Sequence, residues 1–215
     1  MGLFSGLCSF VSDVVSFVSD TVSSLANPVG ELLKIAFPYL DLAIKAIQVV
    51  GVLLDVLRED DNIDELGGKA IIADKKPEDF ISNAEYIHYL KNEIELDHKK
   101  FDEASDLEKY SRTFIGATIV AKGIEEKKDF DIPLETWGVM AKLDLADKAK
   151  EINMILDTFK DEKLDDFIKY TEGKLEIKEE SEISGKLVKM YHQDEPYLSS
   201  EELEEKVMKM EVSNK

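Results

Sequence analysis

This chain has little cysteine, no basic residue near its start and no long apolar run. These absences argue against an internal disulfide, a secretory signal and a membrane-spanning helix. The 215 residues include one cysteine, Cys8, so no disulfide can form within the chain. No run reaches the roughly 18 to 20 uninterrupted apolar residues expected of a membrane-spanning helix. No basic residue precedes Lys34, so the basic region that opens a secretory signal is missing. We therefore expect synthesis in the cytoplasm without a cleavable signal, followed by membrane association or delivery through a dedicated secretion or injection route.

Basic residues are also outnumbered along the whole chain. It has 27 lysines and arginines against 46 aspartates and glutamates, which gives a formal net charge of −19. A field of that sign repels the phosphates of nucleic acids and the headgroups of anionic lipids. The composition therefore predicts that no nucleic acid is a partner.

Recognisable catalytic motifs are missing as well. The sequence contains no phosphate-binding glycine loop, dinucleotide fingerprint or zinc-ligand spacing. Its most enzyme-like feature is the pair Glu85/His88 and Glu95/His98, because Glu-x-x-His occurs in di-iron helical bundles. Both copies are predicted on one helix and out of phase, so they cannot close one site within the chain. We predict no catalytic activity, no cofactor and no metal.

What the sequence does contain is a strongly two-sided N-terminus. At about 100° per residue, the first 26 residues separate into an apolar face and a serine-rich face. The heptapeptide SFVSDVV at residues 9–15 returns as SFVSDTV at 16–22, which keeps one apolar seam along a helix. Two short strands fit less well, because adjacent apolar residues break the alternation. The predicted binding residues of this amphipathic helix are Phe4, Leu7, Phe10, Val14, Phe17, Val18, Val22 and Leu25.

The next segment, residues 29–57, is apolar on most of its helical circumference. Such a helix is a central core helix or one that enters a membrane. Pro38 is expected to kink it into a helical hairpin. Its predicted binding residues are Phe37, Leu40, Ile44, Ile47, Val50 and Leu54.

The remainder is charged and reads as helices separated by short loops. Residues 58–76, with Gly67 and Gly68 as a natural break, are predicted to be a linker, and residues 77–215 an acidic helical domain. The only candidate strand is 70–73. Helices are predicted at 78–101, 106–126, from 131–133, 146–159, 164–170 and 183–191, and after a capping box at 199–202. The predicted fold is all-α: an amphipathic helix and a kinked helical hairpin, followed by an acidic multi-helix bundle.

Two functions follow from the apolar N-terminal module, residues 1–57. The first is a non-catalytic, membrane-interacting protein that docks on or inserts into a bilayer, a design that suits a toxin, phage component or secreted cargo. The alternative is a soluble structural or adaptor component of a larger assembly, whose N-terminal helices self-associate into homo-oligomers or bind a partner protein. Either lipid or protein must cover an apolar face of this size. Burial within the chain itself would instead make the segment part of the core.

Overall fold

The computed structural model describes residues 39–160 and 164–210, apart from the side chain of Leu107. Within these ranges the chain forms ten α-helices and no strand, which confirms the all-α prediction. The predicted amphipathic helix and the bend at Pro38 lie outside the described residues. The helices are α1 Leu40–Leu53, α2 Ile63–Ile72, α3 Asn83–Glu93, α4 His98–Asp102, α5 Asp106–Lys128, α6 Leu134–Lys142, α7 Ala149–Thr158, α8 Leu164–Thr171, α9 Ile177–Asp194 and α10 Ser200–Met208.

Helix α1 is a core helix. Its buried residues, Ala43, Ala46, Ile47 and Val50, belong to one hydrophobic cluster that extends through the bundle, and the helix contacts α5, α6 and α7. The described part of the predicted 1–57 module therefore shares a hydrophobic cluster with the bundle, and the domain boundary predicted after residue 57 stays a prediction. Of the two locations considered for this apolar helix, core or membrane, residues 40–53 occupy the core.

A helix also occupies the stretch predicted to be a linker. The side chain of Asn62 caps α2, because its Oδ1 accepts hydrogen bonds from the backbone N–H groups of Asp64 (2.8 Å) and Glu65 (3.4 Å). The candidate strand at 70–73 is the end of this helix and its C-cap. The sequence analysis weighed the adjacent glycines as a chain break and overlooked the cap that begins a helix.

Those glycines serve a close helix crossing. A β-carbon on Gly67 would lie 1.7 Å from the carbonyl oxygen of Arg112, and one on Gly116 would lie 2.0 Å from that of Ile63. The backbones of α2 and α5 therefore touch at this crossing, where any side chain would separate them. Of all the helix pairs described, these two share the most extensive contact.

The single helix predicted at 78–101 is divided into α3 and α4, which is a correction. The chain is extended before Asp97, whose side chain then caps α4 by accepting from the N–H of Lys100 (3.4 Å). Leu96 and Phe101 both approach Gly68 of α2 across this break. Packing on α2, together with the competition of an aspartate side chain for backbone N–H groups, ends the longer helix.

The other predicted helices are confirmed with small shifts. Helix α5 extends over 106–128 rather than 106–126, and α9 begins six residues earlier than predicted. The capping box at the start of α10 is present: Ser199 Oγ accepts from the N–H of Glu202 (3.3 Å), whose carboxylate accepts from the N–H of Ser199 (2.8 Å). The capping signal at Ser199 therefore located the start of α10.

Glu125 on α5 carries the first testable prediction. It is a buried carboxylate paired with Lys122 at 2.5 Å, and burial raises its pKa. The folded state therefore holds the proton of the Glu125 carboxyl group more tightly than the unfolded chain does. The contribution of Glu125 to stability falls as pH rises above the ordinary pKa of a glutamate. We expect Glu125→Gln to gain stability relative to the wild type as pH rises above about 4, the ordinary pKa of a glutamate.

Urea unfolding of both proteins across that pH range measures this difference. Glu204→Gln, at an exposed position on α10, is the control and should leave the pH dependence of the wild type unchanged. A difference between Glu125→Gln and wild type that stays constant with pH would contradict the prediction.

Candidate functional site

Five of the predicted binding residues fall within the described part of the chain, all on or next to α1. Ile47 and Val50 are buried in the bundle, whereas Leu40, Ile44 and Leu54 are half-buried. Ile47 and Val50 therefore present no surface to lipid or to another protein in this fold. The remaining predicted residues, Phe4, Leu7, Phe10, Val14, Phe17, Val18, Val22, Leu25 and Phe37, lie outside the described residues.

The two ends of α1 do expose apolar surface. Tyr39 is 41% exposed and Leu42 is 42% exposed, at the end of the helix that adjoins residues 1–38. Leu53 is exposed to a similar degree at the far end. Sequence reasoning did not select these three residues, because a helix that is apolar all round gives no signal as to which side faces the core.

The two Glu-x-x-His motifs lie on different helices, with His88 on α3 and His98 at the start of α4. Both imidazoles are exposed. Within the described ranges, no group of three or more histidine, cysteine, aspartate or glutamate side chains is placed to hold a metal ion. The motifs therefore do not converge on a shared site.

A cavity of about 430 Å³ opens between α3 and the C-terminal part of α5, beside the loop that follows α1. Sequence reasoning missed it, because its walls come from three separate segments. One local signal was available: residues 84, 87, 88 and 91 recur at helical spacing on one face of α3. The lining residues are Asp55, Val56, Arg58, Ala84, Ile87, His88, Lys91, Asn92, Gly123, Glu126 and Lys127.

Two contacts hold the walls of this cavity in place. A β-carbon on Gly123 would lie 2.6 Å from Cγ1 of Val56, so the glycine lets the loop after α1 lie directly on α5. The carboxylate of Glu126 accepts a hydrogen bond from the backbone N–H of Asn83 (2.9 Å), which joins the start of α3 to α5.

Only one of the three basic residues that line the cavity forms an ion pair with a described residue. Lys91 forms an ion pair with Asp61, which also accepts the backbone N–H of Arg58 (2.7 Å). The exposed side chains of Arg58 and Lys127 make no ion pair with any residue in the described ranges. Two basic groups therefore face the cavity without a protein counter-charge bound to them, in a chain of strongly acidic composition.

Comparison with known proteins gives no match: no family model, no curated protein and no solved structure is similar to this chain. Among the described helices, none combines the length and apolar character needed to cross a bilayer.

Proposed function

We propose that this protein is a non-catalytic docking protein, in which residues 1–38, the docking segment, bind a lipid bilayer and the acidic bundle is the folded body that they attach. The observation that carries the proposal is the separation of apolar and serine-rich faces over the first 26 residues. An apolar face of that length favours a covered location.

The exposed apolar surface at the start of α1 supports the same proposal. Tyr39 and Leu42 follow directly on the docking segment in sequence. They extend the apolar character of the segment onto the folded body. A docking surface made of both would place the N-terminal end of α1 at the membrane.

The charge pattern favours neutral lipid. The docking segment carries Asp13, Asp20 and Glu31 against a single basic residue, Lys34. Interfacial helices that bind anionic lipid usually present a basic face, and this segment has none. Binding would therefore rest on apolar area, at about 25 cal/mol per Å² removed from water. The acidic bundle would oppose approach to an anionic bilayer.

Flotation with phosphatidylcholine vesicles tests the proposal on the full chain. We expect the wild type to float and to remain bound at high salt, because apolar burial is not screened. Phe10→Ser combined with Val18→Ser removes two predicted contacts, each worth about 1.5–3 kcal/mol when fully buried. The partition coefficient between vesicles and water should therefore fall by more than about tenfold. Ser12→Asn combined with Ser16→Asn, on the polar face, is the matched control and should float like the wild type.

A second candidate is a soluble assembly component that covers the same apolar surface with protein. The exposed side chains of Tyr39 and Leu42 favour it, since a segment of another chain could cover them as well as lipid could. Light scattering of the full chain without lipid separates the two candidates. A soluble protein that does not float overturns membrane docking, and a defined oligomer that Phe10→Ser with Val18→Ser dissolves would support assembly instead.

A further inference from the structure

We propose that the cavity between α3 and α5, here the α3–α5 cavity, binds a small amphiphilic anion: a compound with one carboxylate or phosphate headgroup on a compact apolar body. The inference is independent of membrane docking, because it rests on other residues and on another part of the fold.

The apolar body would sit against the inner wall of the α3–α5 cavity. Val56, Ala84, Ile87 and Gly123 contribute hydrocarbon or bare backbone there. Its volume of about 430 Å³ falls in the range of about 300–1,000 Å³ typical of small-molecule sites. The other seven lining residues are polar or charged, so the apolar part of the ligand must be compact.

The headgroup would be bound by Arg58 and Lys127. Lys91 is already neutralised by Asp61, whereas these two side chains have no ion-pair partner within the described ranges. A guanidinium offers a planar pair of N–H donors that matches a carboxylate or phosphate, and a lysine ammonium adds a second charge. An oxyanion bound by both would supply these two exposed cations with the counter-charge that no described residue provides.

The acidic residues of the lining limit the charge of the ligand. Asp55 and Glu126 share the cavity with the two cations, and the N–H of Asn83 holds the carboxylate of Glu126 in position. A polyanion such as a nucleoside triphosphate or a nucleic acid strand would meet their repulsion. The geometry therefore favours a ligand with a single anionic group.

Calorimetric titration of the full chain with phenylacetate tests the proposal. We expect saturable binding of one molecule per chain, and no saturable binding of phenylacetamide, which keeps the shape but lacks the charge. Phenyl phosphate in a parallel titration compares the two headgroups. Arg58→Gln combined with Lys127→Gln should weaken phenylacetate binding by about tenfold or more, since hydrogen bonds to charged groups exceed neutral ones.

Two further variants complete the design. Ala84→Leu, at an exposed helical position that lines the cavity, should take up part of the space and weaken binding while α3 stays intact. Lys178→Gln combined with Lys189→Gln, at exposed positions on α9, is the charge-matched control and should bind like the wild type.

Three outcomes would overturn the inference. They are the absence of saturable binding of phenylacetate and phenyl phosphate, equal binding of phenylacetamide, and undiminished binding by the Arg58/Lys127 variant. Circular dichroism of each variant confirms that the fold is retained, so a loss of binding reports on the cavity.

Discussion

Replacing Gly67 with alanine is expected to disrupt the bundle more than any other single added methyl group. The new β-carbon would lie 1.7 Å from the carbonyl oxygen of Arg112. Both atoms are fixed to helix backbones, so no side-chain rotation relieves the clash. Helix α2 would have to withdraw from α5, exposing Ile63, Leu66 and Ala70, which are buried between the helices. We expect a loss of more than about 3 kcal/mol in the free energy of unfolding, beyond the usual cost of overpacking.

Urea denaturation followed by circular dichroism measures this loss, and Gly116→Ala should behave in the same way. The chain provides matched controls, since a β-carbon on Gly138 or Gly185 would meet nothing within 4 Å. Alanine at either helical control position should raise stability by about 0.5–1 kcal/mol. An unfolding midpoint for Gly67→Ala equal to that of the wild type would rule out the close crossing of α2 and α5.

The second large effect is expected at Arg112, one of the few charged side chains in the interior. It is 6% exposed and pairs bidentately with Asp64, through Nε–Oδ1 at 2.5 Å and Nη2–Oδ2 at 2.7 Å. Its Nη1 donates to the carbonyl oxygen of Phe101 (2.7 Å), and the guanidinium lies 3.4 Å from the centre of the Phe101 ring. This one side chain therefore joins α5 to both α2 and α4.

Arg112→Met should lower the free energy of unfolding by about 2–4 kcal/mol. Breaking a buried ion pair from one side usually costs about 3–5 kcal/mol. We lower that range because the Asp64 side chain is 25% exposed, so water can solvate part of the stranded carboxylate.

A double-mutant cycle identifies the cause of the loss. Arg112→Met with Asp64→Leu should cost less than the sum of the single changes, because it leaves no unpaired charge. Lys209→Met is the surface control: its pair with Glu205 is exposed on α10, so the change should cost less than about 0.5 kcal/mol. Strict additivity of the two interior substitutions would show that the pair is not coupled as the structure indicates.

The sequence predicted features that depend on near neighbours and missed those that depend on distant ones. The capping box at 199–202 and the helix at 106–126 are readable from nearby residues, and both predictions are confirmed. Gly67 and Gly116 are different, because each acquires its meaning only from the other, far along the chain. Read locally, a glycine pair predicts a break, whereas the packing makes it a contact.

The candidate sites also differ in whether they depend on near or on distant residues. The α3–α5 cavity is lined by the loop at 55–58, by α3 and by α5, so no single stretch of sequence predicts it. The apolar character of α1 predicted that the helix is buried, but it did not distinguish burial in the protein core from burial in a membrane. Here its burial against α5, α6 and α7 removes Ile47 and Val50 from any docking surface. The amphipathic pattern of residues 1–38 stays a prediction, because it lies outside the described residues.

The central position of α1 has a mechanical consequence. A pulling force applied at Tyr39 passes straight into the helix that contacts α5, α6 and α7. Helix α1 cannot be pulled away one contact at a time, since from Ala43 onward it belongs to the shared hydrophobic cluster. We expect the load needed to extract it through Tyr39 to approach the load that unfolds the whole bundle.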